Sequence, residues 1–281
     1  MADGSAIEWT EATWNPTTGC DRVSPGCDNC YALTLASRLK AMGSAKYQVD
    51  GDDRTSGPGF ALTMHRNALE IPRRWRRPRK VFVNSMSDLF HPAVTDEFVA
   101  EVFAVMATVG QHQFQVLTKR PQRMRELLTT SAFGVAVENA AHGQEGLAFA
   151  GLPSPNVWLG ASIESDRYVW RARHVRETPA AIRFLSLEPL VAPVPSLELA
   201  AIDWVIVGGE SGAGARPMDP GWVREIRDAC HDAGVAFFFK QWGGITPKSG
   251  GRELDGVVHD DLPTAVVASS HESEAPEAIA L

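Results

Sequence analysis

No apolar run in the chain approaches the roughly 18 to 20 residues that a membrane-spanning helix needs, so no membrane partner is expected. The opening MADGSAIEW lacks the basic-then-apolar pattern of a secretory leader, and a cytoplasmic location is expected. Cysteine is scarce: four in 281 residues, too few for a disulfide scaffold. Positive charge is also short, with 27 Lys and Arg against 34 Asp and Glu and a formal net charge of −7. Such a surface does not attract polyanions as a whole, so any nucleic-acid contact has to come from a local basic patch. No sequence repeat is visible. What remains is an ordinary globular composition, 44% hydrophobic and 22% charged. The length suits one large α/β barrel or two modest domains.

From residue 60 onward short apolar runs alternate with helical patterns. FALTMH (60–65), KVFVNSMSD (80–88), FQVLTKR (114–120), VWLGASIE (157–164), IRFLSLEPL (182–190), DWVIVGGESG (203–212) and VAFFFKQWG (235–243) read as strands. Between them RNALEIPRRW reads as a short helix broken near Pro72, and Thr95 caps DEFVAEVFAVMATVG. PQRMRELL, DRYVWRARHVRE and GWVREIRDACHDAG are further helices, and residues 129–155 read as an irregular insertion with room for one short helix. With a first strand in 7–19, that makes about eight parallel strands, the count of a closed TIM-like (β/α)8 barrel. An open doubly wound sheet is the fallback. The barrel is assigned to residues 1–245. Residues 246–281 form a C-terminal extension whose acidic end, ASSHESEAPEAIAL, reads as a disordered tail.

In such barrels the chemistry sits at the C-terminal ends of the strands. Those ends carry Asn84, Ser85, Ser87 and Asp88; Thr118, Lys119 and Arg120; Ser162 and Glu164; Ser186 and Glu188; Gly208, Gly209, Glu210 and Ser211; Lys240 and Gln241. Strands must end somewhere in polar residues, and salt bridges among these groups are the plain reading. As a set on one rim they describe a polar cavity with paired carboxylates and lysines. Asp88, Lys119, Glu188 and Lys240 are the catalytic candidates.

Three of the four cysteines fall in GCDRVSPGCDNCYA, residues 19–32: Cys20, Cys27 and Cys30, a C-x6-C-x2-C run on the loop after the first strand. Clustered thiolates point to a metal site. Structural zinc wants four ligands, and only one C-x2-C knuckle is present. Cys230 lies inside a helix and reads as a small buried thiol. His65 or His91 would have to complete a zinc site. Three cysteines without a clear fourth ligand fit a 4Fe–4S cluster with one open iron, the arrangement of radical S-adenosylmethionine (SAM) enzymes. There the usual spacing is C-x3-C-x2-C, and here the first gap is six residues. Tyr31, directly after the last cysteine, is read as packing near the cluster.

The blocks TWNPTTGC, SPGCDNCYA, NSMSDLFH, VLTKRP, LGASIE, FLSLEPL, VIVGGESG, FFFKQWGG and GRELDG resemble, in order, the phage gene product 37/gene product 68 family. The resemblance covers residues 7–262 and implies a three-cysteine motif on a radical-SAM-like barrel, without a substrate. Likeness to radical enzymes that repair or modify nucleic acid is an analogy. Gly208-Gly209-Glu210 looks like the superfamily's Gly-Gly-Glu element for the SAM amino group, although there it follows strand two and here strand seven. Glu164, Ser162 and Asn84 join it as cofactor-binding candidates. Asp88 and Glu188 are candidates for the SAM amine and ribose. Lys119, Arg120 and Lys240 are candidates for its carboxylate or for an anionic substrate.

RRWRRPRK, residues 73–80, holds six basic residues in eight. Arg73, Arg74, Arg76 and Arg77 around Trp75 suggest phosphate contact with base stacking. The plain reading is a solvated stretch pairing with the chain's carboxylates, on the barrel face away from the cysteines. Three functions follow: a radical-SAM enzyme acting on a nucleotide, a nucleic acid or another substrate; a zinc-stabilised nucleic-acid- or protein-binding module; and a hydrolase using the rim carboxylates.

Overall fold

Side-chain alternation decides which face of each strand meets which layer. In Trp204-Val205-Ile206-Val207 the even positions join one apolar cluster with Trp9, Phe82, Trp158, Phe184 and Phe238. The odd positions join a second, larger cluster with the helices. A sheet buried on both faces needs such near-continuous apolar strands, which is the signature of parallel pairing. The computed structural model describes residue 5 and residues 7–142, 151–246 and 249–263.

The chain begins with β1 (Ala12–Trp14) and β2 (Thr17–Thr18), runs through the cysteine loop and enters α1 (Tyr31–Ala41). After β3 (Thr63–Met64) come β4 (Lys80–Val83), α2 (Asp96–Thr108), β5 (Gln113–Thr118), α3 (Pro121–Leu128) and α4 (Ser131–His142). Then follow β6 (Val157–Ser162), α5 (Trp170–Arg176), β7 (Ile182–Leu187), β8 (Trp204–Gly208), α6 (Pro220–Ala233) and β9 (Ala236–Gln241). A hairpin of β10 (Glu253–Leu254) and β11 (Val257–Val258) ends the described chain. β1, β4, β5, β6, β7, β8 and β9 form one sheet in that order, parallel at every pairing. This mixed α/β arrangement is consistent with a partial (β/α) barrel.

The expectation of eight strands is corrected to seven. FALTMH is the one that drops out. Only Thr63–Met64 is extended, and it pairs antiparallel with β2 in a separate ribbon. Its residues are half-exposed, so it lacks the two-sided burial that a strand of the main sheet needs. RNALEIPRRW is likewise not a helix: Arg66–Ala68 and Pro72–Arg74 form two 3-10 turns. The insertion at 129–155 contains α4, a twelve-residue helix; residues 143–150 lie outside the described residues. The tail expected at residues 268–281 also lies outside them.

Local signals explain the helices. The Thr95 hydroxyl accepts from the Phe98 amide at 3.3 Å, and Asp96 and Glu97 occupy the positive end of α2. Asp219 caps α6 by accepting from the Gly221 amide, and Gly234 closes the helix at φ 66°. Both outer edges of the sheet carry further backbone pairing. At β9 the Phe239 amide donates to the His259 carbonyl at 2.9 Å, and at β1 Ser5 donates to Glu11 at 2.9 Å. Trp204 also donates its indole N–H to the Asp261 carbonyl at 2.9 Å.

Gly160 in β6 lies opposite Phe184, whose ring and carbonyl fill the space a side chain would take. A Cβ there would fall 2.5 Å from the Phe184 oxygen. Gly160→Ala is expected to destabilise the protein by about 1–3 kcal/mol through overpacking. A urea midpoint lowered at unchanged slope is the expected reading, and an unchanged midpoint would show that the sheet yields at no cost.

Candidate functional site: the cavity at the cysteine loop

The alternation that plugs the inner face with aromatics also supplies the site. Following the same parity up each strand, Phe82 is succeeded by Asn84, Leu117 by Lys119, Phe184 by Ser186 and Glu188, and Phe238 by Lys240. Apolar side chains fill the N-terminal half, and at the C-terminal ends the polar ones line, together with Leu33, Phe60, Phe82 and Leu117, a cavity of about 500 Å³. Cys20, Cys27 and Cys30 all line it. So do Asn84, Asp88, Lys119, Arg120, Ser162, Glu188, Gly209, Glu210 and Lys240.

The cysteine loop is held from two sides. On one side Asp88 accepts from the Phe90 amide (3.0 Å), the Thr118 hydroxyl (2.7 Å), the Lys119 amide (3.0 Å) and Arg120 (3.0 Å). Arg120 passes on to the loop, donating to the Cys20 sulfur at 3.4 Å and the Asp21 carbonyl at 3.2 Å. On the other side Glu210 accepts from Arg216 at 2.6 and 2.9 Å and from Asn29 at 2.9 Å. Arg216 also donates to the Pro25 carbonyl at 2.8 Å, and Asn29 to the Gly214 carbonyl at 2.9 Å. Tyr31, at the start of α1, donates its hydroxyl to the Ser85 carbonyl, which joins the loop to the end of β4.

Burial pushes the Cys20 thiol up to about 12; Asp88 adds to the effect and Arg120 opposes it. The Cys30 thiol is raised by burial against the pull of the Ala32 backbone and Lys119. These two thiols stay protonated at neutral pH unless a cation takes the proton's place. Among the described residues no three His, Cys, Asp or Glu side chains are drawn together as one metal ion would hold them.

The structure separates the sequence candidates. Gly208 and Glu164, expected beside a cofactor, are not among the residues that line the cavity. Gly208 packs against Glu188: a Cβ there would fall 3.2 Å from its carboxyl carbon. Glu164 is fully buried, paired with Arg171 at 2.9 Å, and lies beneath Gly26 of the cysteine loop. Gly209 does line the cavity, yet its missing side chain admits another backbone, since a Cβ would lie 2.0 Å from the Trp242 oxygen. Lys240 is paired with Glu188 at 2.5 Å. Neither histidine proposed to complete a zinc site faces the cavity. His65 is bound to Thr18 at 2.8 Å, and His91 to Asp21 at 2.8 Å. Cys230 is buried in the outer core, as the sequence suggested.

Sequence reasoning missed Asn29, Arg216 and Asp21. Asn29 had a signal, since it stands between the last two cysteines. Arg216 had none, because its partner choice depends on the turn of residues 211–216. The basic stretch precedes β4, at the opposite end of the strands from the cavity. Trp75 is turned inward, edge-on to His112 at 5.5 Å and under Arg79 at 5.3 Å, which corrects its reading as a free stacking platform. Arg73 is paired with Glu70 at 2.9 Å, whereas Arg74, Arg76 and Arg77 are exposed.

A family profile described as "Protein of unknown function (DUF5131)" matches residues 4–263. The chain belongs to this DUF5131 family. The match spans both the cysteine loop and every strand of the sheet. No curated protein and no solved structure matches the chain. Among the described residues, no helix is long and apolar enough to cross a membrane.

Burial works against ionisation of Glu210, but the hydrogen bonds from Arg216 and Asn29 outweigh it and hold the carboxyl below its ordinary value of 4.5. A depressed folded-state pKa contributes stability above the unfolded value that is lost as pH falls through the folded one. Glu210→Gln is expected to cost about 1–2 kcal/mol at neutral pH. Thermal melts of the two proteins should converge below pH 4.5; a gap that stays constant with pH would contradict the assignment.

Proposed function

We propose that this protein is a radical-SAM-type iron–sulfur enzyme, with Cys20, Cys27 and Cys30 as ligands of a 4Fe–4S cluster and SAM bound in the adjoining cavity. A nucleotide or nucleic acid is the substrate class to test first. The observation that carries the reading is the lining of one cavity by all three cysteines, at the strand ends of a parallel sheet, with His65 and His91 turned elsewhere. The sheet is then read as a TIM-type barrel lacking one strand, in keeping with the resemblance to the phage gene product 37/gene product 68 proteins.

The donor set fits such a group. Three soft sulfur donors spread along one loop suit several irons better than a single zinc, which needs four ligands within bonding distance. When bound, the cluster supplies one electron, drawn from an external reductant, to cleave the sulfonium carbon–sulfur bond of SAM into methionine and a hydrogen-abstracting carbon radical. The chain's own residues do the rest. Arg120 donates to the Cys20 sulfur and so favours its thiolate. The Glu210–Arg216–Asn29 clamp fixes the stretch between Pro25 and Cys30. Glu188, paired with Lys240, offers acceptor oxygens to an amine or ribose hydroxyl. Ser162, Ser186 and Gln241 line the same wall, and Trp9 and Phe82 exclude water below it.

Anaerobic reconstitution should give a brown protein with about four irons per chain and an electron paramagnetic resonance signal after reduction. With reductant and SAM it should form 5′-deoxyadenosine, and Cys27→Ala should abolish both signal and product. One zinc and no iron in anaerobically purified protein would replace this reading with the zinc-stabilised binding module.

Nucleic-acid contact through the basic stretch is a second proposal, favoured by the exposure of Arg74, Arg76 and Arg77 without a carboxylate partner among the described residues. Replacing all three with Ala should weaken DNA or RNA binding alike across sequences and lower the salt-dependence slope by about three. An unchanged slope would remove the stretch from the function.

A further inference from the structure

The cations around the cavity are mostly committed. Arg120 is paired with Asp88, Lys240 with Glu188, and Arg216 with Glu210. Lys119 differs. Its backbone amide, just past the end of β5, is fixed on Asp88 at 3.0 Å. It is half-buried and lines the cavity, yet among the described residues no carboxylate lies within salt-bridge distance of its ammonium. A partly desolvated charge without a carboxylate partner is costly, and Arg120 and Lys240 on the same rim do have theirs. Arg22, at the exposed mouth of the same cavity, is likewise without a carboxylate partner among the described residues.

We infer that Lys119 is the anion-recognising group of the cavity, and that the molecule bound there presents a phosphate or carboxylate to its ammonium, with Arg22 adding charge at the entrance. The inference goes beyond the proposed cluster chemistry and stands whichever metal the cysteines hold. It also narrows the three basic candidates of the rim to one, because Arg120 and Lys240 already have carboxylates.

The test measures binding by the fluorescence of the buried tryptophans, in anaerobically prepared wild-type protein and in Lys119→Gln, Lys119→Arg and Cys27→Ala variants. The probes are AMP against adenosine, SAM against decarboxylated SAM, and inorganic pyrophosphate. Losing one charge-assisted contact should weaken an anionic probe by about tenfold in Lys119→Gln, with Lys119→Arg retaining most of the affinity. The neutral or decarboxylated counterpart should be unaffected. Discrimination within the AMP pair assigns the anion to a nucleotide phosphate, and within the SAM pair to the amino-acid carboxylate. Discrimination that persists in Cys27→Ala supports the inference even if the iron–sulfur reading fails. If no anionic probe is preferred, or if Lys119→Gln keeps the preference at an unchanged melting temperature, the inference is overturned.

Discussion

Arg120 stands between a strand end and the cysteine loop, and the geometry of the cavity depends on what it joins. Asp88 fixes it, and Asp88 is itself fixed by the backbone and side chains at the ends of β4 and β5. The Cys20 sulfur and the Asp21 carbonyl then take their positions from the guanidinium. Glu210 and Arg216 do the same for Pro25 and Asn29 from the far side of the sheet. Ion pairs this buried contribute little net stability, because desolvation offsets most of the attraction. Their effect is to give a loop with one 3-10 turn, Pro25–Cys27, a defined place over the strand ends.

The inner face of the sheet follows a single rule with two outcomes. Alternate residues point inward, and in β4, β6, β7 and β9 their character changes from aromatic to polar towards the C-terminal end. Trp9 crosses the aromatic half, packing edge-on against Phe82 at 4.8 Å and Trp204 at 6.0 Å. The floor is therefore closed by rings from separate strands, and the cavity above it is bounded rather than a through-going pore.

Much of this was legible in the sequence, for a physical reason. Strands such as VWLGAS and WVIVG carry the apolar continuity of a two-sided parallel sheet, and the residues that follow them fall on one rim whatever the number of strands. The cysteines, Asp88, Lys119 and Glu188 were recognisable on that basis. The partners were not. Asn29 meets Glu210 across 181 positions and Arg216 meets Pro25 across 191, and no local pattern encodes such meetings. Glu164 followed a strand as its rim neighbours do, but Arg171 seven residues later drew it beneath the loop. FALTMH misled because its short apolar pattern does not reveal the half-exposure that keeps it out of the main sheet. The glycines of GGE suggested ligand contact, whereas Gly209 serves the close approach of two strand ends.

A sheet of seven strands that stops short of closing leaves two rows of backbone donors and acceptors at its borders, and such rows recruit strands from other molecules. Here residues 259–261 run along β9 and Ser5 meets Glu11 beside β1. The short segment that follows the hairpin thus acts as a guard rail: residues 259–261 occupy the hydrogen-bonding border of β9 without completing the wall. The protein can keep one side of its sheet unclosed next to the cysteines while denying that border to amyloid-like strand addition.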